Sequence, residues 1–244
     1  MIESLLLATT RVVTHFQQRS LTNASGFFFE RDDRLFLVTS RHVVCDELKQ
    51  HLPDRLQIEL HVNAENIAEC VAYDIPLYLD GVPAWRQGVD NAGDIDVAAV
   101  EIDRSAFPST AVYKAFTPAH LPAYSKDRVE VGTSVLLVGF PLGFYDKLHR
   151  VPVARQAVIA SSFGLRFQGE GYFLTDARTH RGTSGAPVVM RMSDPSSAHG
   201  DLPWKVLGVH SAKLDMSTRD TDLDEALGLN CAWYADILMA LTER

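Results

Sequence analysis

An all-β fold is what this 244-residue sequence predicts, and three observations carry the prediction. Short apolar runs rich in β-branched and aromatic residues recur along most of the chain, turn residues separate them, and long stretches of helical period are scarce. The length allows one large β unit or two smaller barrels packed together.

Taken in order, Thr9-Thr10-Arg11-Val12-Val13-Thr14 is β-branched and reads as the core of a first strand over 5–16, after a short helical lead-in. Gly26-Phe27-Phe28-Phe29-Glu30 is a second strand. The polar turn Arg31-Asp32-Asp33-Arg34 folds Leu35-Phe36-Leu37-Val38-Thr39 back against it as a hairpin. Ser40-Arg41-His42-Val43-Val44 then opens a helical turn. Residues 56–62 alternate apolar and polar side chains, as a strand with one wet face should. Gly81, Pro83 and Gly88 make 76–93 read as a long surface connection, and 94–102 returns to a small-residue strand that starts with carboxylates. Pro108, Pro118 and Pro122 mark 107–126 as a linker, dividing the chain into halves 1–115 and 116–244. In the second half 132–141, 150–161, 171–175, 206–212 and 227–232 read as strands. Polar loops are expected at 193–201 and 216–225. Residues 233–244 form a closing helix with Ile237, Leu238 and Leu241 on its apolar stripe.

Composition narrows the function classes. Apolar content of 46% and charged content of 22% are those of an ordinary globular protein. A net charge of -8 with no basic run argues against nucleic acid as the main partner. Cys45, Cys70 and Cys231 are odd in number and far apart, so reduced and at least partly buried thiols are expected rather than a disulfide framework. No pair of them has metal-ligand spacing, the remaining histidines are scattered singly, and no metal or cofactor is assigned. The N-terminus lacks the basic start of a signal peptide, and no stretch reaches about 18 apolar residues. The expectation is a cytoplasmic protein without a membrane partner.

The chemistry centres on Gly182-Thr183-Ser184-Gly185-Ala186-Pro187. Glycines on both flanks let the backbone approach a substrate closely, so the N–H groups of Gly182 and Ser184 can converge on one carbonyl oxygen as an oxyanion hole. A serine hydroxyl is a weak nucleophile without a base, and the base needs a carboxylate to orient it. His42, at the end of an apolar strand, is suited to be the base, although a lone histidine there is more often structural. Asp94 and Asp96 both stand at the mouth of a strand, on the same face, and alternation alone does not choose between them.

These strings carry a resemblance. Val38-Thr39-Ser40-Arg41-His42-Val43-Val44 resembles the histidine box of trypsin-like peptidases, and the strand from Asp96 to Ile102 is similar to their aspartate strand. Thr175-Asp176-Ala177 followed by the Ser184 string resembles the serine box of the HtrA-like and V8-like branches, as Gly139-Phe140-Pro141-Leu142-Gly143 resembles one of their turns. The order His, Asp, Ser is that of chymotrypsin. The resemblance implies two six-stranded β-barrels of the chymotrypsin type with a C-terminal helix, a triad of His42, Asp96 and Ser184, and a serine endopeptidase. It favours Asp96 over Asp94. Thr183 stands where the digestive enzymes carry the aspartate that binds a newly cut N-terminus, so activation by propeptide cleavage is not expected. The chain ends soon after the second barrel, so no PDZ domain is expected either.

Thr179, five residues before Ser184, and His210 resemble the Thr and His that line the first specificity pocket of glutamate- and glutamine-specific relatives. Ser211 and Ala212 continue the same strand as substrate-binding candidates. A hydroxyl and an imidazole suit a Glu or Gln side-chain oxygen and offer little to Arg or Lys. Partners are then a peptide or protein substrate and, for regulation, a protein partner. The rival reading is a protease-fold module that holds peptides without cutting them.

Overall fold

Strand alternation sorts the apolar side chains into three packed layers. The computed structural model describes residues 2–123, 127–192, 201–211 and 228–244. After a one-turn helix α1 (Ser4–Leu7) come β1 (Thr9–Phe16), β2 (Arg19–Arg31), β3 (Arg34–Thr39), the one-turn helix α2 (Arg41–Val44), β4 (Arg55–His61), β5 (Cys70–Pro76), β6 (Tyr78–Leu79), β7 (Val82–Pro83), β8 (Trp85–Asp90) and β9 (Gly93–Ile102). Seven of these strands make one antiparallel sheet in the order β5-β4-β1-β2-β3-β9-β8, and β6 and β7 form a small separate hairpin. The strands β10 (Ser134–Gly139), β11 (Val153–Ile159), β12 (Tyr172–Asp176), β13 (Pro187–Arg191), β14 (Trp204–Ser211) and β15 (Leu229–Tyr234) close into a barrel in the order β10-β11-β12-β15-β14-β13. A helix, Ile237–Leu241, ends the chain's regular structure.

Three consecutive phenylalanines on β2 show how the layers arise. Phe28 faces the first sheet's own interior with Val12, Leu35, Leu37, Ile58, Ala98 and Val100. Phe27 and Phe29, one residue to either side, face the opposite way, because side chains alternate along a strand. There they meet Phe36, Val38, Val97 and Ala99 of the same sheet and Val189, Val206, Val209 and Trp233 of the closed barrel. That middle layer joins the two sheet systems. The barrel has its own interior of Val135, Leu137, Phe173, Val188, Ala232 and Tyr234.

The all-β architecture agrees with the sequence reading, and several details differ. The first half forms a seven-stranded sheet rather than six strands, and 76–93 is not a bare connection but holds β6, β7 and the edge strand β8. Gly88 is tolerated because β8 is an edge strand whose ladder shifts register between Gln87 and Val89, while Pro83 sits in the separate two-residue strand β7. The stretch 107–126 is pinned rather than free over part of its length: the Phe116 N–H donates to Phe28 O at 2.9 Å, Glu30 N–H donates to Phe116 O at 2.7 Å, and the rings of Phe27 and Phe116 meet edge to face at 5.7 Å. The closing helix is short because Trp233 and Tyr234 are drawn into β15. All three cysteines are free, Cys231 buried and Cys45 and Cys70 half-buried. The predicted loops at 193–201 and 216–225 and the pocket candidate Ala212 lie, apart from Asp201, outside the described residues.

Phe36 is fully buried in the middle layer. Phe36→Ala should therefore lower the unfolding free energy by about 3–5 kcal/mol, read as an earlier urea midpoint with an unchanged slope.

Candidate active site

The sequence Thr39-Ser40-Arg41-His42 leaves the sheet at the end of β3 and turns at once into α2, which presents His42 beside β9. Asp96 holds this histidine at two points. The His42 backbone N–H donates to Asp96 Oδ1 at 2.9 Å, and ring atom Nδ1 lies 2.7 Å from Oδ2. An ionised carboxylate only accepts, so Nδ1 carries a proton, and in the neutral tautomer this selects the lone pair is on Nε2. Ser211 adds a third hydrogen bond, its hydroxyl donating to Asp96 Oδ2 at 2.7 Å. Burial alone would raise the Asp96 pKa; the hydrogen bonds and charge interaction with His42 and the bond from Ser211 outweigh it and hold the carboxyl below its ordinary value. Asp94 goes elsewhere, to Arg41 Nη2 at 3.4 Å. Of the two carboxylates that alternation left equivalent, Asp96 is the one on His42.

Ser184 is nearly buried, at 8% exposure, in a loop whose glycines are conformationally required. Gly182 has φ 95° and Gly185 φ 84°. A Cβ on Gly185 would stand 2.2 Å from Ser25 O, and one on Gly182 would stand 2.5 Å from Phe140 O. The peptide between Arg181 and Gly182 is fixed by Leu142, whose N–H donates to Arg181 O at 2.6 Å. With that carbonyl turned toward Leu142, the Gly182 N–H points the other way. Gly185 and Ala186 donate to His210 O and Thr183 O, whereas among the described residues the N–H groups of Gly182 and Ser184 donate to no protein acceptor. Two free N–H groups beside one hydroxyl are the donor set that an oxyanion needs.

Ser25 holds this loop from the other sheet. Its hydroxyl donates to Gly182 O at 2.8 Å and accepts from Phe140 N–H at 3.0 Å, and its N–H donates to Ser184 O at 2.9 Å. Sequence reasoning missed Ser25, and only its place beside Gly26 at the head of a strand marks it. Leu142, in the turn that resembles a family element, was also unassigned.

The specificity candidates divide between two faces of β14. Ser211 faces the seam and reaches Asp96, while His210 faces the barrel interior, opposite Ala232 of β15. His210 is completely buried, and neither ring nitrogen has a hydrogen-bond partner. Burial first, then the neighbouring His42, lowers its pKa to about 3, so the ring is neutral at physiological pH. Thr179 is half-buried and donates its hydroxyl to Asn230 Oδ1 at 2.5 Å. Asn230 was not singled out from the sequence.

The sequence profile of the trypsin-like peptidase domain matches residues 24–193. The chain belongs to this family. The matched span contains His42, Asp96 and Ser184 and stops before His210. Among solved structures, the serine endoprotease from Yersinia pestis matches the trypsin-like peptidase chain with a TM-score of 0.53 at 16% identity, over 96% of this chain and 61% of that one. At that identity the likeness is one of fold. No curated protein matches the sequence significantly. Among the described residues no helix is long and apolar enough to cross a membrane, and no group of three His, Cys, Asp or Glu side chains is arranged to hold a metal ion.

His210 gives this trypsin-like chain a pH signature. The folded ring titrates near 3 and an unfolded ring near 6.5, so below about 6.5 the unfolded state takes up a proton that the folded state refuses. Stability is therefore full above that pH and falls as the pH drops. His51 and His61, also lowered chiefly by burial, act in the same sense. Urea midpoints should fall between pH 7 and pH 5 in the wild type, and His210→Leu should flatten the fall; an equal slope in both proteins would contradict it.

Proposed function

We propose that the protein is a serine endopeptidase with His42, Asp96 and Ser184 as its triad and the N–H groups of Gly182 and Ser184 as its oxyanion hole. One observation carries the reading: an imidazole fixed at two points by a buried carboxylate occurs together with two free N–H donors in the loop of a buried serine. The family supports a peptide or protein as substrate.

In this reading Ser184 Oγ attacks the scissile carbonyl carbon while its proton passes to His42 Nε2. The new C–O bond leaves a negative oxygen, which accepts from the two N–H groups. The imidazolium, stabilised by Asp96, then gives its proton to the leaving amine as the C–N bond breaks, and the acyl group remains on Ser184. Water, deprotonated by His42, repeats the steps and releases a carboxylate and the free hydroxyl. Thr179 and His210 read a Glu or Gln side chain at P1. The halves 1–115 and 116–244 act as two units, the protein works in the cytoplasm, and its control comes from a protein partner.

The rival reading, a peptide-holding module, draws on one observation: among the described residues no hydrogen bond joins His42 to Ser184. Catalytic hydrogen bonds are often long before substrate binds and tighten in the complex, so this contact does not decide between the two. A fluorophosphonate probe does. The wild type should be labelled and Ser184→Ala should be silent; labelling that survives the substitution, or a wild type that binds peptides unlabelled, would favour the module. Asp96→Asn should slow peptide hydrolysis about 10⁴-fold, through loss of the productive tautomer, and Asp94→Asn should leave it near wild type.

A further inference from the structure

We propose that Asn230 makes the P1 pocket select a side-chain carboxamide over a carboxylate, by holding the Thr179 hydroxyl as an acceptor toward the substrate. This rests on the serine-peptidase reading above and narrows its Glu/Gln preference to Gln.

The orientation of the Asn230 amide follows from its neighbours. Its Nδ2 lies 2.6 Å from Ala177 O and 3.1 Å from Gly228 O, and two carbonyl oxygens can be served only by an NH₂ group. The other amide atom is therefore the oxygen, and it accepts from Thr179 Oγ1. A hydroxyl has one proton. With that proton directed to Asn230, Thr179 has only lone pairs left to offer, and these welcome the NH₂ of a glutamine and repel the oxygens of a glutamate.

Strand register brings the other half of the site to the same place. His210 lies opposite Ala232, and Asn230, two residues from Ala232 along β15, projects from the same face. Thr175 of β12 lies directly opposite Asn230. His210 and Thr175 are both wholly buried, and neither His210 nitrogen nor Thr175 Oγ1 has a partner. Buried polar groups of this kind are seldom left without one. A neutral imidazole supplies one N–H for the carboxamide oxygen and no charge for a carboxylate. Thr179 and Asn230 are half-exposed and His210 is sealed from solvent, which puts the hydroxyl and amide at the outer end of the pocket and the imidazole at its inner end. The exposed Arg178, next to Thr179, is the charge that would favour Glu instead.

The test uses the full chain and two fluorogenic peptides that differ only in Gln or Glu at P1. Wild type should favour Gln in kcat/KM by at least about tenfold. Asn230→Ala frees the Thr179 proton to turn toward substrate and should move the Gln/Glu ratio toward one, whereas a merely structural loss would lower both rates together. Thr179→Val, which keeps the shape without the lone pairs, should lower Gln cleavage without raising Glu cleavage. A wild-type ratio at or below one, or the same ratio in wild type and Asn230→Ala, overturns the proposal. Fluorophosphonate labelling run in parallel separates the two levels: a labelled enzyme that cuts neither peptide sinks the pocket assignment alone, and an unlabelled wild type sinks the peptidase reading and this inference with it.

Discussion

The buried hydroxyl of Ser25 joins the two sheet systems where the chemistry is assembled. Every polar atom of Ser25 is engaged. Its hydroxyl bridges Phe140 N–H and Gly182 O, its N–H reaches Ser184 O, and its carbonyl accepts from Thr39 Oγ1 at 2.8 Å. Two further bonds cross the same seam, Ser40 Oγ to His210 O and Ser211 Oγ to Asp96. The apolar middle layer supplies non-directional attraction between the sheets, at roughly 25 cal/mol per Å² of apolar surface buried. It does not fix the register of one sheet against the other. The polar seam does, because leaving any of its buried donors or acceptors unmade costs about 1–3 kcal/mol.

That constraint explains why the loop around Ser184 can hold two N–H groups free. A backbone amide with no partner is costly in a buried site, and the loop would relax by turning the Arg181–Gly182 peptide so that its carbonyl filled the space. Leu142 holds that carbonyl from one side and Ser25 holds the next one from the other. Positive φ at Gly182 and Gly185 lets the chain follow this path without a Cβ meeting the Ser25 or Phe140 carbonyls. The loop's shape is thus held by Leu142 from the same half of the chain and by Ser25 from the other sheet, 157 residues from Gly182.

The distance separates what the sequence makes legible from what it hides. His42, Ser184, Thr179 and His210 stand out as candidates because each is a reactive residue type inside a short recognisable string. Strand alternation likewise predicts most of the ladder, and misses strands such as β5, where the pattern is half-exposed, and β8, where an edge position excuses glycine. Ser25 sits in Asn23-Ala24-Ser25, just ahead of the strand that the sequence predicts from Gly26, and its hydroxyl partners lie 157 and 115 residues away. Asn230 is hidden for the same reason, since its partner Thr179 is 51 residues distant. Asp94 and Asp96 share a face in the alternation pattern; the family resemblance favours Asp96, and the structure sends Asp94 to Arg41 and Asp96 to His42.

The central claim is that the serine loop takes its shape from the opposite sheet. Its most direct test is the second-order rate of Ser184 modification by a fluorophosphonate in Ser25→Ala, compared with wild type, with folding checked by circular dichroism. The account predicts a folded variant that reacts at least about tenfold more slowly, because a misplaced loop loses the near-attack geometry. A folded Ser25→Ala protein that reacts at the wild-type rate would contradict it.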